Sequence, residues 1–459
     1  MLRTSHKLPF VFLAALEAAI LITVICMAEM LVRNGALTFA GDEQTIIYRS
    51  CSAALIFVTS LFAFGFYNWE FASGFAEVLV RAAAAYFVSC LAFLVLGYVL
   101  LTPTVSAWAF AGATVVSAPI ILTIRNIFLH LAEDGWLKHR ILVLGVGDAA
   151  RRLHELEHGS VIRRFAIVGY LKCGEEDVKV HASPVLTSPG EVKDFLGNTE
   201  IDEIVVAVQD RRGNLPLDEL IEARFRGVRI SDYQTFSERV TGRVDLEAVR
   251  PSWFLYSSGF GLSSMQRGIK RGFDIIVSLL GLILLSPIFI AAALAIAIEG
   301  GGAVFYRQER VGLNGRPYML IKFRSMRADA ERDGVPRWAG QNDPRVTFLG
   351  NFMRKTRIDE LPQILNVLYG DMSFVGPRPE RPFFVDQLAS SIPFYNDRHR
   401  VKPGITGWAQ LNFSYGASAE DARKKLEYDL YYIRNVNIIL DLLIIIQTLR
   451  VVVFFQGAR

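Results

Sequence analysis

"DIIVSLLGLILLSPIFIAAALAIAIE", residues 274–299, is the stretch on which the architecture turns. It is apolar between Asp274 and Glu299 and long enough to span a bilayer. Ser286-Pro287 stands at its centre. Proline removes a backbone donor and disfavours helix at the residue before it, so a break at Ser286 and Pro287 is expected. Arg267, Lys270 and Arg271 precede the stretch, and Arg307 and Arg310 follow it. A helix with both ends on one side must turn back within the membrane. A Pro-kinked span would instead carry everything after residue 300 across.

Upstream, four apolar blocks occupy about 9–32, 51–68, 79–101 and 105–124. They lack the polar face of a soluble bundle, so four spanning helices are expected over 1–130. The first run follows Arg3, His6 and Lys7 and is too long for a signal peptide. Basic residues also follow the fourth block: Arg125, Lys138 and Arg140. An even number of spans with cations at both ends places both ends in the cytoplasm.

The composition changes at Arg140. "RILVLGVGDAARRLHEL" is an apolar strand, then Gly145-x-Gly147-x-x-Ala150, then a helical pattern. "FAIVGYL", "EIVVAV" and "GVRISDY" supply further strands, separated by helical stretches. The alternation predicts a Rossmann-like, parallel α/β domain over 138–250. The second strand ends "GYLKCGEE", with Lys172 where a ribose-binding acid is expected. A structural or regulatory role fits this domain better than a dinucleotide site.

The rest of the chain, 262–459, is expected to form an α/β catalytic domain carrying the 274–299 helix. Its final apolar stretch is interrupted by Asp441, Gln447 and Arg450 and reads as an interfacial helix. This region concentrates features that suit phosphates. "KFRSM" brings Lys322 and Arg324 together, and "GPRPE" holds Arg378 between prolines, with Glu380 after them. "RKTRIDELPQILN", 354–366, sets Asp359 and Glu360 behind Arg354, Lys355 and Arg357. Thr356 and Asp359 fit a capping box, but Pro362 argues against a helix starting at Thr356. Asp359 as N-cap would put Pro362 in the first turn. From this segment alone, capping and catalysis both stand. Together the arginines suggest a pyrophosphate site.

Two function classes are disfavoured. Forty-nine cations against 45 anions is too balanced for a nucleic-acid binder. The four cysteines, 26, 51, 90 and 173, form no C-x-x-C pair, so neither a zinc site nor a disulfide framework is indicated.

"KRGFDIIVS", the Ser-Pro break, "VFYRQERVGLNGRPYMLIKFRSM", "IDELPQILNVLYGDMSFVGPRPE" and "VKPGITGWAQ" resemble, in order, the bacterial sugar transferase family, the monotopic phosphoglycosyl transferases. The match covers about 267–459. The helical start and Rossmann-like middle resemble the large members that initiate exopolysaccharide or O-antigen synthesis. The resemblance implies transfer of a sugar-1-phosphate, with glucose or galactose expected, from a UDP-sugar to undecaprenyl phosphate. It implies Mg²⁺, a catalytic pair Asp359 and Glu360, and a re-entrant helix at Ser286-Pro287. Asp359 is then the expected nucleophile and Mg²⁺ ligand, with Glu360 assisting. Arg354, Arg357, Arg378, Glu380, Lys322 and Arg324 are the expected substrate-binding residues. The expected setting is the cytoplasmic face of a bacterial inner membrane, in contact with membrane lipid, with a homodimer through the middle domain. Rival readings are a membrane-anchored NDP-sugar epimerase or dehydratase, for which Tyr318 and Lys322 give the one Tyr-x-x-x-Lys match, and a non-catalytic scaffold of a secretion complex.

Overall fold

The computed structural model describes residues 8–34, 43–64, 82, 85–90, 92–93, 107–133, 139–159, 165–173, 177–180, 185–187, 195, 199–208, 215–249, 251–256, 259–300, 302–327, 330, 343–413 and 418–453. The chain divides into two compact units, Met1–Phe236 and Ser237–Arg459.

The first unit opens with three long apolar helices: α1 (Leu8–Asn34), α2 (Glu43–Ala63) and α3 (Ala107–Glu133). Leu13, Leu21 and Ile25 of α1 bury at helical spacing, as do Phe57 and Leu61 of α2 and Phe110 and Ile121 of α3. Phe12, Leu16, Leu55 and Val115 stay exposed, so both sides of these helices are apolar. That pattern fits a lipid surround rather than water. Val11–Leu31 and Ala109–Phe128 are long and apolar enough to cross a membrane, and the apolar part of α2, Ser50–Phe62, is shorter. The protein is a membrane protein. The third expected span, 79–101, lies mostly outside the described residues, although 85–90 is helical.

The α/β part contains β1 (His139–Leu144), α4 (Asp148–Gly159), β2 (Phe165–Leu171), β3 (Val185–Leu186), β4 (Glu203–Val206), α5 (Leu217–Phe225) and β5 (Arg229–Asp232). The strands form one sheet in the order β3-β2-β1-β4-β5, and every pair is parallel. Gly145 turns the chain from β1 toward α4 at φ +117°, where a Cβ would stand 3.0 Å from the Ala207 backbone. At the start of α4, Asp148 pairs with Lys179 at 2.7 Å. The protein's own carboxylate therefore lies at the positive end of the helix. Glu175, the more distant acid after β2, lies outside the described residues.

The boundary between units falls within the helix Tyr233–Thr241. The segment after it packs into the second unit. Val244 is buried among Leu426, Leu430 and Ile433 and donates its N–H to the Glu427 carbonyl at 3.0 Å. Trp408 Nε1 donates to the Gly242 carbonyl at 2.7 Å. The compact unit thus starts earlier than residue 262, because apolar residues before that point complete its core.

Helix α6 (Ser264–Glu299) is capped by Ser263, whose side chain accepts from Gln266 N–H in a capping box. Helical hydrogen bonding continues through Ser286-Pro287, so the expected interruption of the helix is not found. Pro287 leaves the Ile283 carbonyl without its usual donor. The Ser286 hydroxyl supplies one at 2.8 Å, which is the physical reason the helix continues. Ile276, Ile283, Leu284, Ile290 and Ile298 are exposed along it, and its length and apolarity suffice to cross a membrane.

Beyond it, β6 (Phe305–Val311) and β7 (Pro317–Phe323) form an antiparallel hairpin. Then come α7 (Phe348–Lys355), a 3₁₀ turn at Ile358–Glu360 and α8 (Gln363–Tyr369). Strands β8 (Ser373–Val375) and β9 (Gly404–Thr406) pair in parallel. Their flanking loops meet backbone to backbone: a Cβ on Gly376 would stand 2.3 Å from the Lys402 carbonyl oxygen. Helices α9 (Ala419–Arg434) and α10 (Ile438–Val453) close the unit. Asp441 of α10 points inward to Lys270 and Tyr432. Two of the polar residues that interrupt the last apolar stretch, Asp441 and Gln447, are therefore buried in protein.

Candidate active site

The site is built on a sharp change of chain direction. Helix α7 ends at Thr356, whose hydroxyl bonds back to the Phe352 carbonyl at 2.9 Å. Thr356 closes that helix and does not start a new one. Arg357 follows in the left-handed conformation at φ 60°. Such a backbone is strained for a non-glycine residue and is often found at functional sites. Ile358–Glu360 then form the 3₁₀ turn, held by Glu360 N–H to the Arg357 carbonyl at 3.2 Å. Pro362, which needs no donor, caps α8. Asp359 therefore does not cap a helix. The α-helix begins past it because the left-handed Arg357 tightens the preceding turn.

Asp359 and Glu360 are both largely buried, yet their surroundings differ. Glu360 Oε1 receives Arg378 Nη2 at 2.7 Å, Lys322 Nζ at 3.4 Å and Arg357 Nη1 at 3.6 Å. Burial alone would raise its pKa, but Arg378, Lys322 and Arg357 outweigh burial and hold it well below the usual carboxylate range. Asp359 accepts no hydrogen bond from any described side chain. Burial pushes it up to about 6, the charge of Glu360 adds to that, and Lys322, Arg354 and Arg357 oppose it. One carboxylate is thus neutralised in place, and its neighbour is left unengaged. A value near 6 leaves about 90% of Asp359 ionised at pH 7.

Lys322, Arg357 and Arg378 converge on Glu360, and Arg354, in the last turn of α7, acts on Asp359 as a positive charge. Glu380 stands beside Arg310 at 3.7 Å, and its carbonyl accepts from Val311 N–H at 3.0 Å. It braces the loop against β6 and does not face the pair. Arg324 stands apart from these cations. Its buried guanidinium donates to the Ile296 carbonyl at 3.2 Å and to that of Gly300, so it caps the end of α6. Lys322 lies on β7, whereas Arg324 lies just past the end of that strand and turns to the end of α6.

Several residues were not singled out by sequence. Arg398 and Asp429 form a buried pair at 2.9 Å, and Arg398 Nη2 also donates to the Arg378 carbonyl at 2.9 Å. Arg310 Nη1 donates to the Pro379 carbonyl at 3.0 Å. These two arginines fix the backbone of the loop that delivers Arg378. At the start of α6, Lys270 reaches Asp441, Tyr432 and the Val375 carbonyl, and Arg271 donates to the carbonyls of Val367 and Leu368. Asp274 accepts from Phe374 N–H and the Ser373 hydroxyl. The membrane helix is thereby bonded to the elements that follow the catalytic turn. Only the basic run "KRGFD" hinted at this.

Two adjacent acids in unlike environments thus stand among cations, in the unit that carries the long apolar helix α6. The family model for bacterial sugar transferases matches residues 265–455. A UDP-glucose:undecaprenyl-phosphate glucose-1-phosphate transferase of Escherichia coli (strain K12) is 46% identical over 334 residues, 69% of this chain and 68% of its own. A protein of the same name from Xanthomonas campestris pv. campestris is 32% identical over 360 residues, 75% of this chain and 72% of its own. A UDP-N-acetylgalactosamine-undecaprenyl-phosphate N-acetylgalactosaminephosphotransferase of Aeromonas hydrophila is 45% identical over 226 residues, 49% of this chain and 52% of its own. The chain belongs to the bacterial sugar transferase family and is an enzyme of the phosphoglycosyl transferase type.

Proposed function

We propose that this enzyme transfers a hexose-1-phosphate from a UDP-sugar to undecaprenyl phosphate through a covalent intermediate on Asp359. The observation that carries the proposal is the inequality of the pair: Glu360 is held by three cations, and Asp359 is buried, unengaged and mostly ionised near neutrality. An Asp359 oxygen attacks the phosphorus that bears the sugar, and the bond from that phosphorus to the UMP oxygen breaks. UMP leaves. A phosphate oxygen of undecaprenyl phosphate then attacks the same phosphorus, the acyl-phosphate bond breaks and Asp359 is regenerated. Arg378, Lys322 and Arg357 supply positive charge where two anions must meet.

The residues suit Mg²⁺, which takes one or two carboxylates plus substrate phosphate oxygens. Asp359 is the free carboxylate that would hold it, and bound Mg²⁺ would offset diphosphate charge. Glucose is the favoured sugar, since the relatives aligned over more than two thirds of this chain carry that name.

We also infer that α6, kinked at Pro287 without losing its helical hydrogen bonding, re-enters the membrane from one side, and that the second unit works on the cytoplasmic face. Both ends of this helix bond to the same unit: Lys270 and Arg271 at its start, and the Ile296 and Gly300 carbonyls, held by Arg324, at its end. A crossing would put about 30 Å of hydrocarbon between those ends. The strand order of the first unit matches doubly wound folds, and the Asp148–Lys179 pair at its glycine turn favours a structural or regulatory role. A homodimer through that domain belongs to the same proposal. The epimerase alternative is disfavoured because Tyr318 and Lys322 lie on β7, outside the five-stranded sheet, and Lys322 is committed to Glu360. The deciding experiment is donor turnover without acceptor. Enzyme, Mg²⁺ and sugar-labelled donor should release one UMP per chain and leave label on the protein. Label that appears only in lipid, with no UMP before acceptor is added, would establish direct attack instead.

A further inference from the structure

Helix α4 ends in "HELEH", residues 154–158. His154 and His158 are four residues apart and share one face of the helix, and Glu157 lies beside them. One donor atom from each of the three lies within 4.8 Å of the others. Donors on one zinc ion, each about 2.0–2.2 Å from the metal, are about 3.3 Å apart, so a small closure suffices.

The hydrogen bonds around the group arrange the donors. His158 Nδ1 is 2.9 Å from the His154 carbonyl. A carbonyl can only accept, so His158 carries its proton on Nδ1 and its lone pair on Nε2. His154 Nδ1 is 3.1 Å from the Tyr170 hydroxyl. A phenol is neutral near pH 7 and its oxygen can accept from His154. Glu157 Oε1 accepts from Ile167 N–H at 3.1 Å, and Oε2 stands 3.8 Å from His158 Nδ1, turned toward the histidines. Metal-binding histidines usually have the second nitrogen engaged in this way. Glu155 is drawn aside to Arg151 at 2.6 Å, so it is not available as a general base.

We propose that His154, Glu157 and His158 bind a divalent transition metal of the zinc class, with a fourth position open to solvent at the exposed His158. Two imidazoles and one carboxylate form a donor set that zinc accepts readily. Magnesium prefers oxygen donors and should not compete. The metal would tie the last turn of α4 to β2, through Tyr170 and Ile167. The site shares no residue with the catalytic turn.

The test uses the full chain in detergent, purified without a histidine tag, stripped with chelator and titrated with Co²⁺ and then Zn²⁺. A visible cobalt band that saturates at one equivalent and is quenched by zinc is expected, unchanged by excess Mg²⁺. His154→Gln and His158→Gln should each weaken zinc binding by about ten-fold or more, and Asp359→Asn should leave it unaltered. His158 is exposed, so His158→Gln keeps the test decisive if His154→Gln fails to fold. No cobalt band, an unaltered band in His158→Gln, or a band lost in Asp359→Asn would each overturn the proposal.

Discussion

Asp359 and Glu360 are neighbours in sequence with opposite electrostatic fates. Asp359→Asn should abolish turnover by several orders of magnitude and leave the protein folded. The sign of its stability effect follows from linkage. Burial and Glu360 raise Asp359 to about 6 in the folded state. An acid raised on folding costs stability once the pH passes above its unfolded value. Removing that charge should therefore leave the thermal midpoint at pH 7.5 unchanged or slightly higher. A capping role would give a lower midpoint and near-normal turnover. The same ionisation predicts that kcat/KM of the free enzyme rises about ten-fold per pH unit below about 6 and levels off above it. Glu360→Gln removes one of the two influences that raise Asp359, so the rising limb should move to lower pH. Turnover should also fall, because Arg378 loses its anchor at 2.7 Å. A limb that stays near 6 in Glu360→Gln would mean that a different group titrates.

At the scale of elements, what sequence could reveal depended on whether the signal was local. Long apolar runs without a polar face located the membrane helices, and the succession of short apolar strands and helical stretches located the parallel sheet. The acid pair and Arg378 were legible because they stand in short rigid segments. The contacts of Arg324 were not legible because its partners are carbonyls 24 and 28 residues away, to which a sequence gives no pointer. Asp429 was missed for the same reason. It lies mid-helix in α9, and its partner Arg398 is 31 residues back in a 3₁₀ segment. The break at Ser286-Pro287 failed because the serine hydroxyl takes over the carbonyl that proline leaves open. The Arg398–Asp429 pair carries its own prediction. Asp429→Ala leaves a buried guanidinium unpaired, which typically costs about 3–5 kcal/mol. It also frees the loop that holds Arg378. Thermal stability should fall sharply, and KM for the UDP-sugar should rise in whatever fraction remains folded. An unchanged KM would separate this pair from substrate binding.

The whole molecule consists of two compact units, and the location of their boundary decides which fragment can work alone. Family motifs begin near residue 265, which suggests a minimal enzyme starting at about Leu262. Packing argues for an earlier start. Val244 is fully buried in the second unit, and Leu246, Val249, Trp253, Phe254 and Phe260 pack against the same cluster. Trp253 also lies under the Arg434 guanidinium, 5.1 Å from its ring centre. Burying one large apolar side chain contributes roughly 1.5–3 kcal/mol, so losing this set removes an amount comparable to the whole stability of a domain, about 5–15 kcal/mol. A fragment of residues 237–459 in nanodiscs should therefore fold cooperatively and retain UMP release, since every residue placed at the catalytic turn lies within it. A fragment of 262–459 should aggregate or melt well below it. The comparison needs both thermal midpoint and turnover. Equal stability of the two fragments would show that the 237–261 segment is ornamental. A folded 237–459 fragment with no activity would mean that the first unit takes part in the chemistry.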